Sequence, residues 1–405
     1  MIVSEEKNEL IIELGERIEY TNAGEIEAEI FREVKLHPDL PVCLDADKLI
    51  YISSAGLRIM IKLRKSCAAG FSIRNVSPEV YEVFEMTGLN TIITIRRKLR
   101  RVDVDGCEVI GKGASGTVYK LDAETVVKVY HKKENVLSVI EEEQKKARRA
   151  FLDGVPTAIP FDIVRAGEGY GAVFEMIDAR NLGDIVKKEP ERMEQLISKY
   201  AAFLRSLHSI DAHDKPLPGA VSLYLKAMDE FGGFLSEKTA ARIRELLNGM
   251  PEDSHLLHGD IQLKNVMLSG DEMMLIDMDH LCTGNPVFEF AALYATYIAF
   301  NEVDPLDTQK FLGIDRDTAA RLVFEPLREY LRDPGGEELN GTVDRSHVGV
   351  LPEVEKKVRT AGYLRLLMIL VIEWREEQSE KKERGIRHAA SMLEELAFQV
   401  EGLAI

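Results

Sequence analysis

The 405-residue chain predicts an α/β domain followed by an α+β domain of two lobes, the second lobe largely helical. Three observations carry this. Residues 1 to 98 alternate strand and helix signals, the pattern of a small sheet with crossover helices. A glycine-rich turn at 111–116 leads into further strands instead of a long helix. The segment "HLLHGDIQLKNVMLSGDEMMLIDMDH" (255–280) sets acidic side chains and an Asn between short apolar runs.

Composition narrows the function classes. Apolar residues make up 45% and charged residues 30%, as in soluble globular protein, and the length allows two or three domains. A net charge of -17 offers no basic footprint, so neither nucleic acid nor an anionic membrane is expected as a partner. Cys43, Cys67, Cys107 and Cys282 are scattered with no C-x-x-C pair, which suits reduced thiols in a cytoplasmic protein. The start, "MIVSEEKNEL", lacks an apolar signal core. The most apolar run, "YLRLLMILVIEW" (363–374), is too short to span a bilayer and carries Arg365; it reads as a buried helix.

In the first domain, "ELIIELGERI" (9–18) alternates like a half-buried strand, and Ile26, Ile30 and Val34 form a helical stripe. "PVCLDA" (41–46) reads as a strand, and 54–70 as a helix capped by Ser54 and ended by Gly70. "FSIRNV" is a strand, "SPEVYEVFEMTG" a helix with Ser at its cap and Pro in its first turn, and "TIITI" (91–95) the last strand. The stretches "LDADKLIYISSAGLRIMIKL" and "NVSPEVYEVFEMTGL" resemble the STAS (anti-sigma factor antagonist) domain over nearly all of residues 1–98. The resemblance implies a regulatory or interaction domain with a protein partner, and a phosphorylated serine matching Ser54. The family's usual preceding Asp is Ser53 here. A helix N-terminus favours such a dianion through its dipole, while a plain helix cap is the simpler role.

"RRKLRRVDVD" (96–105) is charged, and residues 99–105 are taken as a linker. Next, "VIGKGASGTVYKLDAETVVKVY" places Gly111, Gly113, Gly116 and Val118 in a G-x-G-x-x-G-x-V motif. Dinucleotide folds share that motif, but here strand, glycine hairpin, strand, turn and strand follow one another, as in a kinase N-lobe. Glycines let backbone amides approach phosphates closely. Lys128, between Val127 and Val129 in an apolar strand, is costly to bury without a partner. The next helix, 134–154, offers Glu141, Glu142 and Glu143; Glu143 lies on the inward apolar stripe and is the choice.

In 255–280, "HLL", "NVMLS" and "MMLIDMD" read as short strands, with "SGDE" as hairpin punctuation. Asp260 then sits in a loop five residues before Asn265, and Asp277 at the end of a neighbouring strand. One carboxylate as base, with an Asn and a second carboxylate as hard oxygen ligands, is the set that phosphoryl transfer with Mg²⁺ requires. H-G-D-x4-N followed by I-D-x-D resembles the aminoglycoside phosphotransferase/choline kinase-like group, relatives of protein kinases. "TGNPVFEFAALY" (283–294) resembles that group's short G-[DN]-P motif, with Glu289 in its acidic position. Relatives often carry His and Pro where this chain has Gln262 and Lys264, and its Gly-rich loop is closer to protein kinases.

The resemblance implies a protein-kinase-like fold: an N-lobe at 106–178, and a C-lobe at 179–405 with the catalytic loop and acceptor site. It implies ATP held by the Gly-rich loop and Lys128, adenine contacts near Glu175, Met176 and Ile177, and Mg²⁺ on Asn265 and Asp277. Asp260 aligns or deprotonates a hydroxyl (or amine) of a small-molecule acceptor. Asp279 either assists the metal or is structural; His208, His258 and Gly259 shape the core and loop. The alternative is a protein Ser/Thr kinase in a partner-switching circuit that phosphorylates a STAS-type serine, and a third reading is a nucleotide-binding scaffold without turnover.

Overall fold

The computed structural model describes residues 3–6, 9–113, 115–131, 136–167, 169–213, 217–304, 313–332 and 351–405. Ala114 in the glycine-rich turn, and 132–135, where the next helix was expected to begin, lie outside the described residues. The chain divides into two compact units: 1–105 with the hairpin tip 163–171, and 106–162 with 172–405.

The first unit holds a five-stranded sheet in the order Val3–Glu6, Glu9–Glu13, Val42–Asp45, Phe71–Val76, Thr94–Arg97. The first pair is antiparallel and the others parallel. Parallel neighbours require crossovers, and the helices Ala23–Leu36, Ser54–Ser66 and Pro78–Met86 supply them. The expected polar face of the second strand is not there. Leu10, Ile11 and Ile12 are all buried, so both faces of this strand are covered, as in sheets flanked by crossover helices. The second helix is also shorter than expected, and Ser53, not Ser54, caps it by accepting from the Gly56 amide at 3.4 Å. The backbone leaves helical geometry at Cys67 (φ -89°, ψ 91°), and residues up to Gly70 turn into the next strand. Ser54 is thereby the first helical residue, and it is exposed.

In the second unit the sheet-rich part orders its strands Pro160–Ala166, Gly169–Glu175, Thr125–Tyr130, Gly116–Lys120, Val109–Lys112. The helix Leu137–Leu152 carries a buried stripe of Ile140, Glu143, Gln144, Ala147 and Ala150. The remainder is built on Met193–His208, Ala220–Phe231, Glu237–Asn248, Val287–Tyr294, Arg316–Leu331, Leu351–Glu376 and Glu380–Leu396. One core runs through these helices and the hairpin Val266–Ser269/Glu272–Leu275. Leu351–Glu376 packs against both Val287–Tyr294 and Glu380–Leu396, which brings Arg365 into the interior. Among the described residues, no helix is long and apolar enough to cross a membrane.

Candidate active site

Two antiparallel registers fix the glycine hairpin. Val118 pairs with Gly111 on one side and with Lys128 on the other. The turn closes through Gly113 N donating to Gly116 O at 2.9 Å. Gly116 is where only glycine fits, since a Cβ there would lie 2.5 Å from Val129 O.

Lys128 extends from its strand into a set of carboxylates. Its Nζ lies 2.6 Å from Glu143 Oε1, 3.3 Å from Asp277 Oδ1 and 3.7 Å from Asp279 Oδ2. The Lys128 and Glu143 side chains are only 13% and 8% exposed, so this pair sits in a low-dielectric setting where a lost partner is costly. Burial opposes the charge on Lys128, but the three carboxylates more than offset it and hold the ammonium protonated. The helix is pinned to the acidic turn by Lys146 Nζ, which donates to Asp279 O at 2.6 Å. Thr157 Oγ1 donates to Leu275 O at 2.8 Å, and Leu275 N to Pro156 O at 2.7 Å, so the strand before Asp277 is tied to the segment that follows the same helix.

The predicted strand through 273–279 stops at Leu275. Asp277 adopts a left-handed backbone (φ 68°, ψ 71°) and opens a 3₁₀ turn over Met278–His280. A non-glycine residue held there is typical of functional sites, and Asp tolerates it better than branched residues do. The turn aims both carboxylates at the same place: ligand oxygens of Glu143, Asp277 and Asp279 all lie within 4.8 Å of one another. Burial raises the Asp279 carboxyl to about 8, with Asp277 and Glu143 adding to the rise against Lys128. Asp277 also feels burial, but the Lys128 charge keeps it below the ordinary range. Asp279 Oδ1 is buried with no hydrogen-bond partner among the described residues. An oxygen-only donor set with one unused buried carboxylate oxygen suits a hard divalent cation.

The loop before it is built around Glu289. This fully buried carboxylate accepts from His258 N at 2.7 Å and from Gly259 N at 2.9 Å, with His208 Nε2 at 3.6 Å. His258 Nε2 meets Ile276 O at 3.0 Å and its Nδ1 accepts from Asp260 N at 3.2 Å, so the ring proton sits on Nε2. Gly259 (φ 78°) lies where a Cβ would be 2.2 Å from His280 O. His208, His258 and Gly259 therefore act as framework.

Asp260 emerges from this framework 18% exposed. Its Oδ2 accepts from Gln262 Nε2 at 2.6 Å and Asn265 Nδ2 at 3.2 Å; its Oδ1 faces Arg365 Nη2 at 3.3 Å. Asn265 also donates to Asp260 O at 2.9 Å, so its amide nitrogen is committed and its oxygen is the atom left for a cation. Near the predicted adenine contacts, Glu175 N donates to Ile159 O at 2.9 Å, Met176 N to Glu124 O at 2.7 Å, and Ile177 O accepts from Ala179 N at 3.0 Å.

Sequence reasoning missed Arg365 as part of the site. The one signal was a lone Arg inside an apolar run. It also missed Gln262 as a ligand of Asp260, and Tyr297, whose hydroxyl accepts from Leu263 N at 2.9 Å beneath the loop.

A family model described as phosphotransferase enzyme family matches residues 106–322, and one for the STAS domain matches 1–102. No curated protein matches the chain. Among solved structures, a choline/ethanolamine kinase family protein from Mesorhizobium loti aligns at 15% identity, covering 72% of this chain and 87% of that one, with a TM-score of 0.46. The aminoglycoside phosphotransferase APH(3'')-Id from Streptomyces rimosus, solved with ADP and streptomycin, aligns at 16% identity over 56% of this chain and 95% of that one, with a TM-score of 0.37. Since the first of these models spans more than half of its length, the chain belongs to the phosphotransferase enzyme family, with a STAS domain ahead of its kinase-like fold.

Proposed function

We propose that the protein is an ATP- and Mg²⁺-dependent phosphotransferase that moves the γ-phosphoryl group to a hydroxyl of a small-molecule acceptor. The observation that carries this reading is the meeting of Lys128 with Glu143 and Asp277, from three separate elements, at one point. Residues 106–178 serve as the nucleotide lobe and 179–405 as the lobe of catalytic loop and acceptor site, after a linker at 99–105. Gly111, Gly113, Gly116 and Val118 cover the phosphates, Glu143 holds Lys128 toward them, and the backbone at Glu175 and Ile177 borders the base. Asp277 and the Asn265 oxygen hold the cation, with Asp279 the third candidate through its unused oxygen. A cation bound there supplies charge neutralisation at the transferring phosphate. Asp260 takes up the hydroxyl proton; positioning and electrostatics carry the remainder of such catalysis.

The test is ADP release with Mg·ATP and a metabolite panel that includes aminoglycosides, compared with Asp260→Ala. Acceptor-stimulated release that vanishes in the variant supports the reading. Release unchanged by that substitution contradicts it.

A second reading, phosphorylation of a STAS-type serine, is favoured by the exposure of Ser54 at the first position of its helix. In that reading the STAS domain is the regulatory element and protein-binding surface. Incubation with labelled ATP alone separates the two: protein-bound label lost in Ser54→Ala belongs to the second.

A further inference from the structure

Arg365 lies on the Leu351–Glu376 helix among buried Leu364, Leu366, Leu367 and Leu370, where an apolar residue would pack without desolvation cost. Its side chain is 12% exposed, and Nη2 stands 3.3 Å from Asp260 Oδ1. That is long for an ammonium- or guanidinium-to-carboxylate bond, which normally closes to about 2.7–2.9 Å. Nor is Asp260 free to serve as its dedicated counter-ion: Oδ2 already accepts two amide donors, and Oδ1 is the atom that a hydroxyl proton would reach. Arg365 Nε is buried without a hydrogen-bond partner among the described residues, and the Tyr224 hydroxyl is the polar neighbour of the same guanidinium. A planar fork of donors beside the reacting atom, incompletely satisfied, matches a carboxylate or phosphate group.

Building on the phosphotransferase reading, we infer that Arg365 is the acceptor-specificity residue, and that the acceptor carries an acidic group close to the hydroxyl presented to Asp260. The hydroxyl oxygen bonds to the γ-phosphorus while the bond from that phosphorus to the bridging oxygen breaks. The proton passes to Asp260, and the nucleoside diphosphate departs with the bonding electron pair. The acidic group replaces Asp260 Oδ1 as the partner of Arg365, which leaves that oxygen for the hydroxyl. A polycationic acceptor would instead meet a buried positive charge.

The experiment uses the full chain with Mg·ATP and three hydroxy acids, glycerate, malate and gluconate, each paired with neutral and cationic analogues of equal length. The expected result is ADP release above basal hydrolysis with hydroxy acids only. In Arg365→Met, kcat/KM for them should fall about 100-fold, mainly through KM, and Arg365→Lys should recover part of it. Circular dichroism melting of both variants separates this from misfolding. Preference for the neutral or cationic analogues, absence of stimulation by all three acids, or an Arg365→Met value within about threefold of the parent overturns the inference. Calorimetric uptake of Mg·ATP by the parent protein, run alongside, distinguishes such a failure from failure of the phosphotransferase reading itself.

Discussion

Lys128 Nζ and Glu143 Oε1 lie 2.6 Å apart, joining the strand Thr125–Tyr130 to the helix Leu137–Leu152 at a point where Asp277 and Asp279 also converge. The lysine stands among three carboxylates whose ligand oxygens lie within 4.8 Å of one another. Its removal leaves them facing one another with no charge between.

Lys128→Met is therefore expected to lose about 3–5 kcal/mol of stability, the usual result of stripping one partner from a buried ion pair. Added Mg²⁺ should restore part of the loss by taking the position between the carboxylates. Thermal unfolding with and without Mg²⁺ checks both. An unchanged melting temperature in the absence of metal would show the pair to be energetically idle.

Asp260→Asn keeps the shape and the Gln262 contact region but removes the proton acceptor. The rate with a working acceptor should fall roughly 10²–10⁴-fold. Affinity for Mg·ATP should change little, because the Asp260 carbonyl, which the substitution leaves in place, still anchors the Asn265 amide, and Asp260 is not one of the carboxylates around Lys128. Steady-state kinetics beside calorimetry separates the two quantities.

Gly259→Ala should destabilise the protein by more than about 2 kcal/mol. The position combines a left-handed backbone with a Cβ path 2.2 Å from His280 O, so the loop and the 3₁₀ turn would both have to move. Chemical denaturation measures it.

Glu289 gives a pH dependence of definite sign. Burial alone would raise its carboxyl, but the facing His208 ring and the His258 backbone amide that donates to it bring it below the ordinary value. A carboxyl lowered in the folded state contributes stability that is present above its unfolded pKa, about 4.3, and is lost as pH falls through the folded value. Urea unfolding of the parent and of Glu289→Gln should show a gap that is widest near neutrality and narrows in acid. A gap independent of pH would contradict this.

Much of the fold was legible because its signals are local. Alternation of strand and helix in residues 1–98, and strands in place of a helix after Gly116, needed no tertiary information. The contact between Lys128 and Glu143 was legible for a related reason: a lysine between valines and a glutamate on an apolar stripe both demand burial, and so a partner. What local signals do not encode is where backbone leaves its expected path. "MMLIDMD" looks extended throughout, yet the chain turns at Asp277, which places Asp279 beside the other carboxylates. Arg365 is separated from Asp260 by 105 positions, and nothing in an apolar helix states which loop it will face.

The most direct measurement is a calorimetric titration of the parent protein and Asp277→Ala with Mg·ATP. Uptake of one nucleotide per chain by the parent, abolished or weakened at least tenfold in the variant, is expected if Lys128 and Asp277 border a common nucleotide cleft. Absence of heat with the parent, or equal binding by the variant, would contradict it.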